Sequence, residues 1–395
     1  MKRIAAEYVF TGTGGDPVRN ACVEYGEDGT VTSFGVSPDV DAEPDFRRGI
    51  LVPGFVNSHC HLELSHLRGK FAKGTGMSGF INQINELRDS TDAEGRKAAA
   101  AGWMDILWKQ GVSAMADISN CDETFRLKSE SPVYTRTFLE VFGTEQEDCA
   151  AVIDGVRRLA DEARKYGIDA APTPHACYTM SPELVTASAA EGLASGFLSY
   201  HSEESREEED MMISGTGALA DNYRGRHLST PPVTGKPSLM YFTDRLLKVH
   251  RPPFEEHILL VHNVCLTQEA LDYASGYLHN LWWAVCPLSN IFIHNALPPV
   301  PLMRKNGLRI TVGTDSLSSN DTLDMVKEMY CLQEAFPEVP LGEIVQWATS
   351  NGAGFLAKSD ILGTLEPGKR PGIVWIKDVS ADGRLTAGSS SERII

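Results

Sequence analysis

The chain has 395 residues, 42% of them hydrophobic and 23% charged, proportions that exclude a largely disordered polypeptide. Its 36 basic and 53 acidic side chains leave a net charge of −17, which disfavours nucleic acid as a partner and leaves a small molecule, met in one pocket, as the expected ligand. No run approaches the ~18 apolar residues that span a bilayer, and Glu7 interrupts the start before an apolar segment forms, so a cytoplasmic protein without membrane contact is predicted.

In chain order, residues 1–50 alternate apolar and polar side chains between Gly and Asp turns, the pattern of short antiparallel strands. From Leu51 the texture changes. Eight short apolar runs follow: Leu51–Asn57, Val112–Ile118, Val133–Phe142, Ile168–Pro174, Gly196–His201, His257–His262, Leu281–Cys286 and Leu308–Gly313. Helical periodicity separates most of them, as over Glu94–Gln110, Cys149–Tyr166, Pro182–Glu191 and Thr267–Tyr277. Eight strands alternating with helices predict an α/β chain folded as a (β/α)₈ TIM-type barrel over residues 51–350. An open doubly wound sheet would carry a Gly-rich phosphate loop after its first strand, where this chain has His59-Cys60-His61. Residues 351–395 return to short strand-like pieces at Gly363–Lys369 and Ile373–Lys377, with a frayed end from Gly388. The two chain ends, 1–50 and 351–395, are expected to pair as one small β-sandwich domain.

The eight cysteines are scattered without a Cys-x-x-Cys pair and read as reduced, mostly buried thiols. Trp282 and Trp283 are adjacent on a strand, so one is expected in the barrel interior and the other between the layers.

His59 and His61, two apart at a strand end, share a face and can reach one metal ion, with Cys60 turned away. His201 ends the fifth run, His262 the sixth, and Asp315 follows the eighth. Singly, each has a plain reading as a cap for the next helix. Together they place metal-capable side chains at the ends of strands one, five, six and eight, all opening on one face of a barrel.

The set His59-x-His61, His201-x-x-Glu204, His262 and Asp315 resembles the amidohydrolase superfamily, and within it the branch of cytosine, guanine, S-adenosylhomocysteine and aminofutalosine deaminases and of chlorohydrolases. Pro174-His175-Ala176-Cys177-Tyr178-Thr179, Cys286-Pro287-Leu288-Ser289-Asn290, Gly313-Thr314-Asp315-Ser316 and Gly363–Lys369 carry the same resemblance, over about residues 50–377. One departure is Gly372, where the family usually has Asp. The resemblance implies a metal held by His59, His61, His201 and Asp315. Binuclear relatives add a Lys on the fourth strand; Ile168–His175 has none, so one ion is expected. Three imidazoles and a carboxylate favour Zn²⁺, and Fe²⁺ or Mn²⁺ fit the same donors.

By the same resemblance the reaction is hydrolytic deamination of a heteroaromatic, purine-like amine. Asp315 takes a proton from water, Glu204 protonates the ring nitrogen as general acid, and His262 steadies the tetrahedral intermediate. Glu203 competes as acid, but the His-x-x-Glu spacing selects Glu204. The run Glu207–Asp210 reads as an acidic helix start and solvated face. His175 is assigned to substrate, against a plain role at a helix entry. Glu63, in His61-Leu62-Glu63-Leu64-Ser65, resembles the loop of aminofutalosine deaminases, which makes an adenine nucleoside such as aminofutalosine the first substrate choice; a Glu held by a backbone amide is the alternative. Ser289 and Asn290 either shape the pocket or cap a helix. Hydrolysis of another C–N or C–Cl bond, as in a cyclic amide or chlorotriazine, and a non-catalytic metal-binding barrel remain as alternative functions. Related barrels imply a homodimer, although no interface signature is visible.

Overall fold

The computed structural model describes residues 1–37 and 39–395. Six strands, drawn from both chain ends, form one sheet: β1 (Lys2–Val9), β2 (Val18–Tyr25), β3 (Val31–Val36), β4 (Phe46–Pro53), β13 (Ile373–Lys377) and β14 (Ser390–Arg393), in the order β14-β13-β4-β1-β2-β3. Period-two alternation decides which side chains meet. Ile4, Ala6, Ala21, Val23 and Tyr25 pack in a core of the sheet's own, while Ile50, Val52, Val374 and Ile376 on β4 and β13 join the large core shared with the barrel.

Eight further strands follow the parallel alternation read from the sequence: β5 (Phe55–Cys60), β6 (Val112–Ser119), β7 (Tyr134–Val141), β8 (Asp169–Pro174), β9 (Phe197–Ser202), β10 (His257–His262), β11 (Leu281–Val285) and β12 (Ile310–Val312). They hydrogen-bond as two parallel four-stranded sets, β5-β6-β7-β8 and β12-β11-β10-β9. Bonds across both seams join the sets. The Thr173 hydroxyl donates to the Ser199 carbonyl (2.5 Å) and His201 N–H to the His175 carbonyl (2.9 Å). At the other seam Thr314 and Asp315 N–H groups both donate to the His59 carbonyl at 3.0 Å. That carbonyl draws the chain around Asp315 against the histidine pair. Only glycine fits before it, since a Cβ on Gly313 would lie 2.8 Å from the His59 Cβ.

The expected helices form as Ala93–Lys109, Cys149–Lys165, Pro182–Ala194 and Gln268–Ser275. Trp282 shares a core cluster with Val56, Ala116, Phe138, Leu259 and Val261, side chains from four other strands of the barrel, and its neighbour Trp283 joins the core beneath the helices. All eight cysteines are free thiols, and none is exposed.

Three expectations are corrected. The run Leu51–Asn57 is two strands: β4 ends at Pro53 in the six-stranded sheet and β5 starts the barrel at Phe55. Gly54 makes the junction, because a Cβ there would sit 2.0 Å from Ser113 Oγ and 2.2 Å from the Pro371 carbonyl. Gly363–Lys369 is not a strand; it turns, docking by Leu365 N–H to the Thr11 carbonyl and Gly368 N–H to the Val31 carbonyl. The end of the chain is not frayed, since β14 pairs with β13 and the Arg393 guanidinium stacks on Trp108 while donating to three oxygens. No helix of the described residues is long and apolar enough to cross a membrane.

Candidate active site

The C-terminal ends of the barrel strands open on a cavity of about 510 Å³, lined by His61, Glu140, His175, His201, Glu204, His262 and Asp315 among others. Three of the turns that deliver these groups are backbone-strained: Glu203, His262 and Asp315 all have positive φ, at 49°, 73° and 58°. Side chains other than glycine adopt that conformation at a cost of about 1–3 kcal/mol, and only where the surroundings enforce it.

His59 and His61 bring their Nε2 atoms to 3.1 Å, and Asp315 Oδ1 lies 3.6 Å from the first and 3.4 Å from the second. His201 packs edge-on against His59, with ring centroids 4.8 Å apart. Two sets, His59-His61-Asp315 and His59-His201-His262, each gather their donor atoms within 4.8 Å of one another. Buried imidazoles and one carboxylate suit a divalent cation. Burial, and then the neighbouring imidazoles, push His61 and His201 well below the usual histidine range, so both present lone pairs. Burial alone would raise Asp315, but the imidazoles of His59, His61 and His262 set around it outweigh burial and hold the carboxyl well below its ordinary value. The Ser289 and Ser319 hydroxyls both donate to Asp315 Oδ2, at 2.6 and 2.7 Å, leaving Oδ1 toward the histidines.

Glu204 is buried and behaves oppositely. Burial, then the Asp315 charge, raises it well above the ordinary carboxylate range, which favours its protonated form. Its Oε1 lies 3.5 Å from His262 Nε2, and Tyr178 donates to Oε2 at 3.3 Å. Burial lowers His262 to about 3, so its ring is neutral. The Asn290 amide nitrogen lies 3.0 Å from His262 Nδ1 and donates to it, which puts the ring proton on Nε2, a buried atom with no protein partner. Two carboxyls of one cavity are thus pushed in opposite directions, the arrangement acid–base chemistry needs.

The remaining site expectations divide. His175 lines the cavity, its Nδ1 turned to Thr179 Oγ1 at 2.7 Å. Glu63, Ser289 and Asn290 do not line it. The Glu63 carboxylate is held by Asn120 N–H (2.9 Å) and faces Arg88 (3.5 Å), the alternative in which a backbone amide holds it. Ser289 and Asn290 reach Asp315 and His262 instead of the pocket. Glu203 is buried outside the cavity lining, near the charges of Glu208 and Glu209.

The acidic run is corrected in part. It does begin a helix, Arg206–Ser214, but Glu208 and Glu209 are buried and each carboxylate of the run has an assignment. Glu207 accepts from Met77 and Ser78 N–H, Glu208 from Glu204 N–H at 2.7 Å, and Glu209 from Ser238 N–H, while Asp210 pairs with Arg206. An acidic string looks solvated in sequence because most of the amides it serves, those of Met77, Ser78 and Ser238, are distant in the chain.

Sequence reasoning missed Glu140. Buried near the end of β7, it faces the cavity with Oε1 3.5 Å from His201 Nδ1 and without a hydrogen-bond partner. Burial, then Glu63, pushes it up to about 8. Its signal in the sequence is its place near the end of the third apolar run, Val133–Phe142, where a barrel strand meets the mouth. Tyr178, which touches Glu204, lay within the motif Pro174–Thr179 without a role, and Ser319, which touches Asp315, had no comparable signal.

The model of the Amidohydrolase family matches residues 50–388. An adenosine deaminase of Helicobacter pylori is 27% identical over 335 residues, covering 82% of this chain and 78% of its own. The crystal structure of Helicobacter pylori aminofutalosine deaminase in complex with methylthio-coformycin superposes with a TM-score of 0.78 at 22% identity, covering all of both chains. An adenosine deaminase from Xanthomonas campestris with bound Zn superposes at 0.71 with 18% identity, covering 98% of this chain and 86% of its own. These superpositions show the shared fold. With the strand-end histidines and Asp315 gathered at one barrel mouth and the family model spanning the barrel, this chain belongs to the amidohydrolase family.

Proposed function

We propose that this protein is a hydrolytic deaminase of a heteroaromatic amine of the adenine-nucleoside kind. One observation carries the reading: Glu204, which burial pushes up, and Asp315, which its imidazole neighbours hold down, line a single cavity with the histidine cluster. The deaminases among the chain's relatives, adenosine and aminodeoxyfutalosine deaminases included, support the substrate class, with aminofutalosine as the first compound to try.

His59, His61, His201 and Asp315 would hold one divalent metal, Zn²⁺ first, with Fe²⁺ or Mn²⁺ accepted by the same donors. Bound there, it supplies Lewis acidity, lowering the pKa of water from 15.7 to about 7 so that a nucleophile exists at neutral pH. Asp315 Oδ1 accepts the proton given up by the attacking water, its Oδ2 being fixed by Ser289 and Ser319. Glu204 gives its proton to the ring nitrogen beside the amine-bearing carbon, which makes that carbon electrophilic. His262 Nε2–H donates to the oxygen that adds, and Asn290 keeps that proton in place. The proton on Asp315 passes to the leaving amine and the proton of the added hydroxyl passes to the Glu204 carboxylate, so ammonia departs, an oxo-heterocycle remains and both carboxyls return to their starting states.

The six-stranded sheet supports reading residues 1–50 and 351–395 as one small domain beside a 51–350 barrel. Eight free thiols support a reducing, cytoplasmic setting. Ammonia release across nucleosides and free bases tests the function. We expect Glu204→Gln, with its fold intact, to lower deamination by about 10²–10⁴-fold. Absence of ammonia from every heteroaromatic amine would remove the proposal, and turnover of a cyclic amide or chlorotriazine that survives E204Q would replace it.

A further inference from the structure

Asp315 and His262 are oriented by side chains from two segments of the barrel mouth. Ser289 and Asn290 lie on the Pro287–His294 helix after β11, and Ser319 lies in the turn that follows Asp315. One buried side chain joins the two. Glu328, on the Met325–Ala335 helix that Asp324 caps through Val326 N–H (2.8 Å), accepts Leu288 N–H on Oε2 at 3.0 Å and the Asn320 amide on Oε1 at 2.7 Å. Leu288 directly precedes Ser289, and Asn320 directly follows Ser319. The Asn320 amide nitrogen also donates to the Thr314 carbonyl at 3.0 Å, next to Asp315.

An acid at this place is costly. Glu328 is fully buried, burial pushes it well up, and no Lys or Arg pairs with it among the described residues. What the place requires is an acceptor at each end of one side chain. Leu288 N–H belongs to the first turn of its helix, where no carbonyl of that helix can accept it, and the Asn320 amide presents a second donor. A carboxyl offers an acceptor oxygen to both. Glutamine, of the same length, would turn its own NH₂ group toward one of them. Glu328 does not line the cavity, so it acts on the chemistry only through the segments it holds.

We propose that Glu328 is a positioning residue: it clamps the two segments so that the Ser289 and Ser319 hydroxyls stay on Asp315 Oδ2 and leave Oδ1 to the histidines. This rests on the deaminase reading of the same site. The test is Glu328→Gln in the full chain loaded with Zn²⁺, with a urea titration to establish that the variant is folded. Ammonia release from aminofutalosine and adenosine should show kcat lowered about 10–100-fold, the loss that follows when the partner of a site residue is removed, with KM within about 2-fold of the wild type. In a chelator competition the variant should give up Zn²⁺ about 10-fold more readily, since Asp315 is one of the proposed donors. A lesion acting elsewhere in the fold would multiply with loss of the serines, whereas a clamp acting through them would not. Adding E328Q to Ser289→Ala/Ser319→Ala should therefore lower kcat by less than about 2-fold more. Wild-type kcat or wild-type Zn²⁺ retention in folded E328Q, a loss carried in KM, or full multiplication with the serine variants overturns the proposal. If E328Q does not fold, Asn320→Ala, which frees one segment only, carries the same expectations. If the wild type releases no ammonia from either nucleoside, it is the deaminase reading that fails, and Zn²⁺ retention then decides on Glu328.

Discussion

Lys128 connects the barrel wall to the candidate metal loop. From the Phe125–Glu130 helix its Nζ reaches Asp117 Oδ2 at 2.5 Å, and it donates to Ser119 Oγ (2.8 Å) and Thr137 Oγ1 (3.2 Å). Both charged side chains are almost wholly buried. The other oxygen, Asp117 Oδ1, accepts Leu62 N–H at 2.8 Å, and Leu62 directly follows His61. Replacing Lys128 by Met keeps the volume of the stem but strips a buried carboxylate of its counter-charge. Breaking a buried pair in this way costs about 3–5 kcal/mol, against a total stability of about 5–15 kcal/mol for a typical domain. In Asp117→Asn/Lys128→Met the amide oxygen still accepts Leu62 N–H and no charge is stranded, so the double variant should recover about half the loss or more. Urea titrations of the wild type, K128M and the double variant, at one metal loading and with equal m-values, measure both quantities. A K128M cost below about 1 kcal/mol, or a double variant less stable than K128M, would refute a structural role for the pair.

Two further outcomes are expected. A histidine that binds metal is usually oriented by a carboxylate or carbonyl on its other nitrogen, and losing that partner weakens binding about 10–100-fold. With Glu140 Oε1 3.5 Å from His201 Nδ1, Glu140→Ala should weaken metal retention by that order in a chelator competition, and unchanged retention would show that the His175 carbonyl, 3.3 Å away, suffices alone. Glu208 concerns pH. Burial, then Glu209, raises it in the folded chain, so between the unfolded glutamate value near about 4.3 and the raised one the folded state keeps a proton that the unfolded state has released. Stability should therefore fall as pH climbs through that window. Glu208→Gln should flatten the slope in thermal melts, and an identical slope in both proteins would exclude Glu208 as its source.

The sequence by itself determined the element order, because the periods of strand and helix are local and eight apolar runs can close into few folds. It also placed His59, His61, His201, Glu204, His262 and Asp315 on one functional face, since every parallel strand of a barrel ends at the same mouth. Tertiary structure alone decided what touches what. Ser289 and Asn290 serve Asp315 and His262, and Glu63 serves the Asn120 amide rather than the pocket. Glu208 and Glu209 are buried because backbone N–H groups of Glu204 and Ser238 meet them. Side-chain direction at a turn, and the partner that makes a buried charge tolerable, are set by neighbours distant in the chain. The opposite directions in which Glu204 and Asp315 are pushed follow from those neighbours as well, since they depend on which side chains share their cavity.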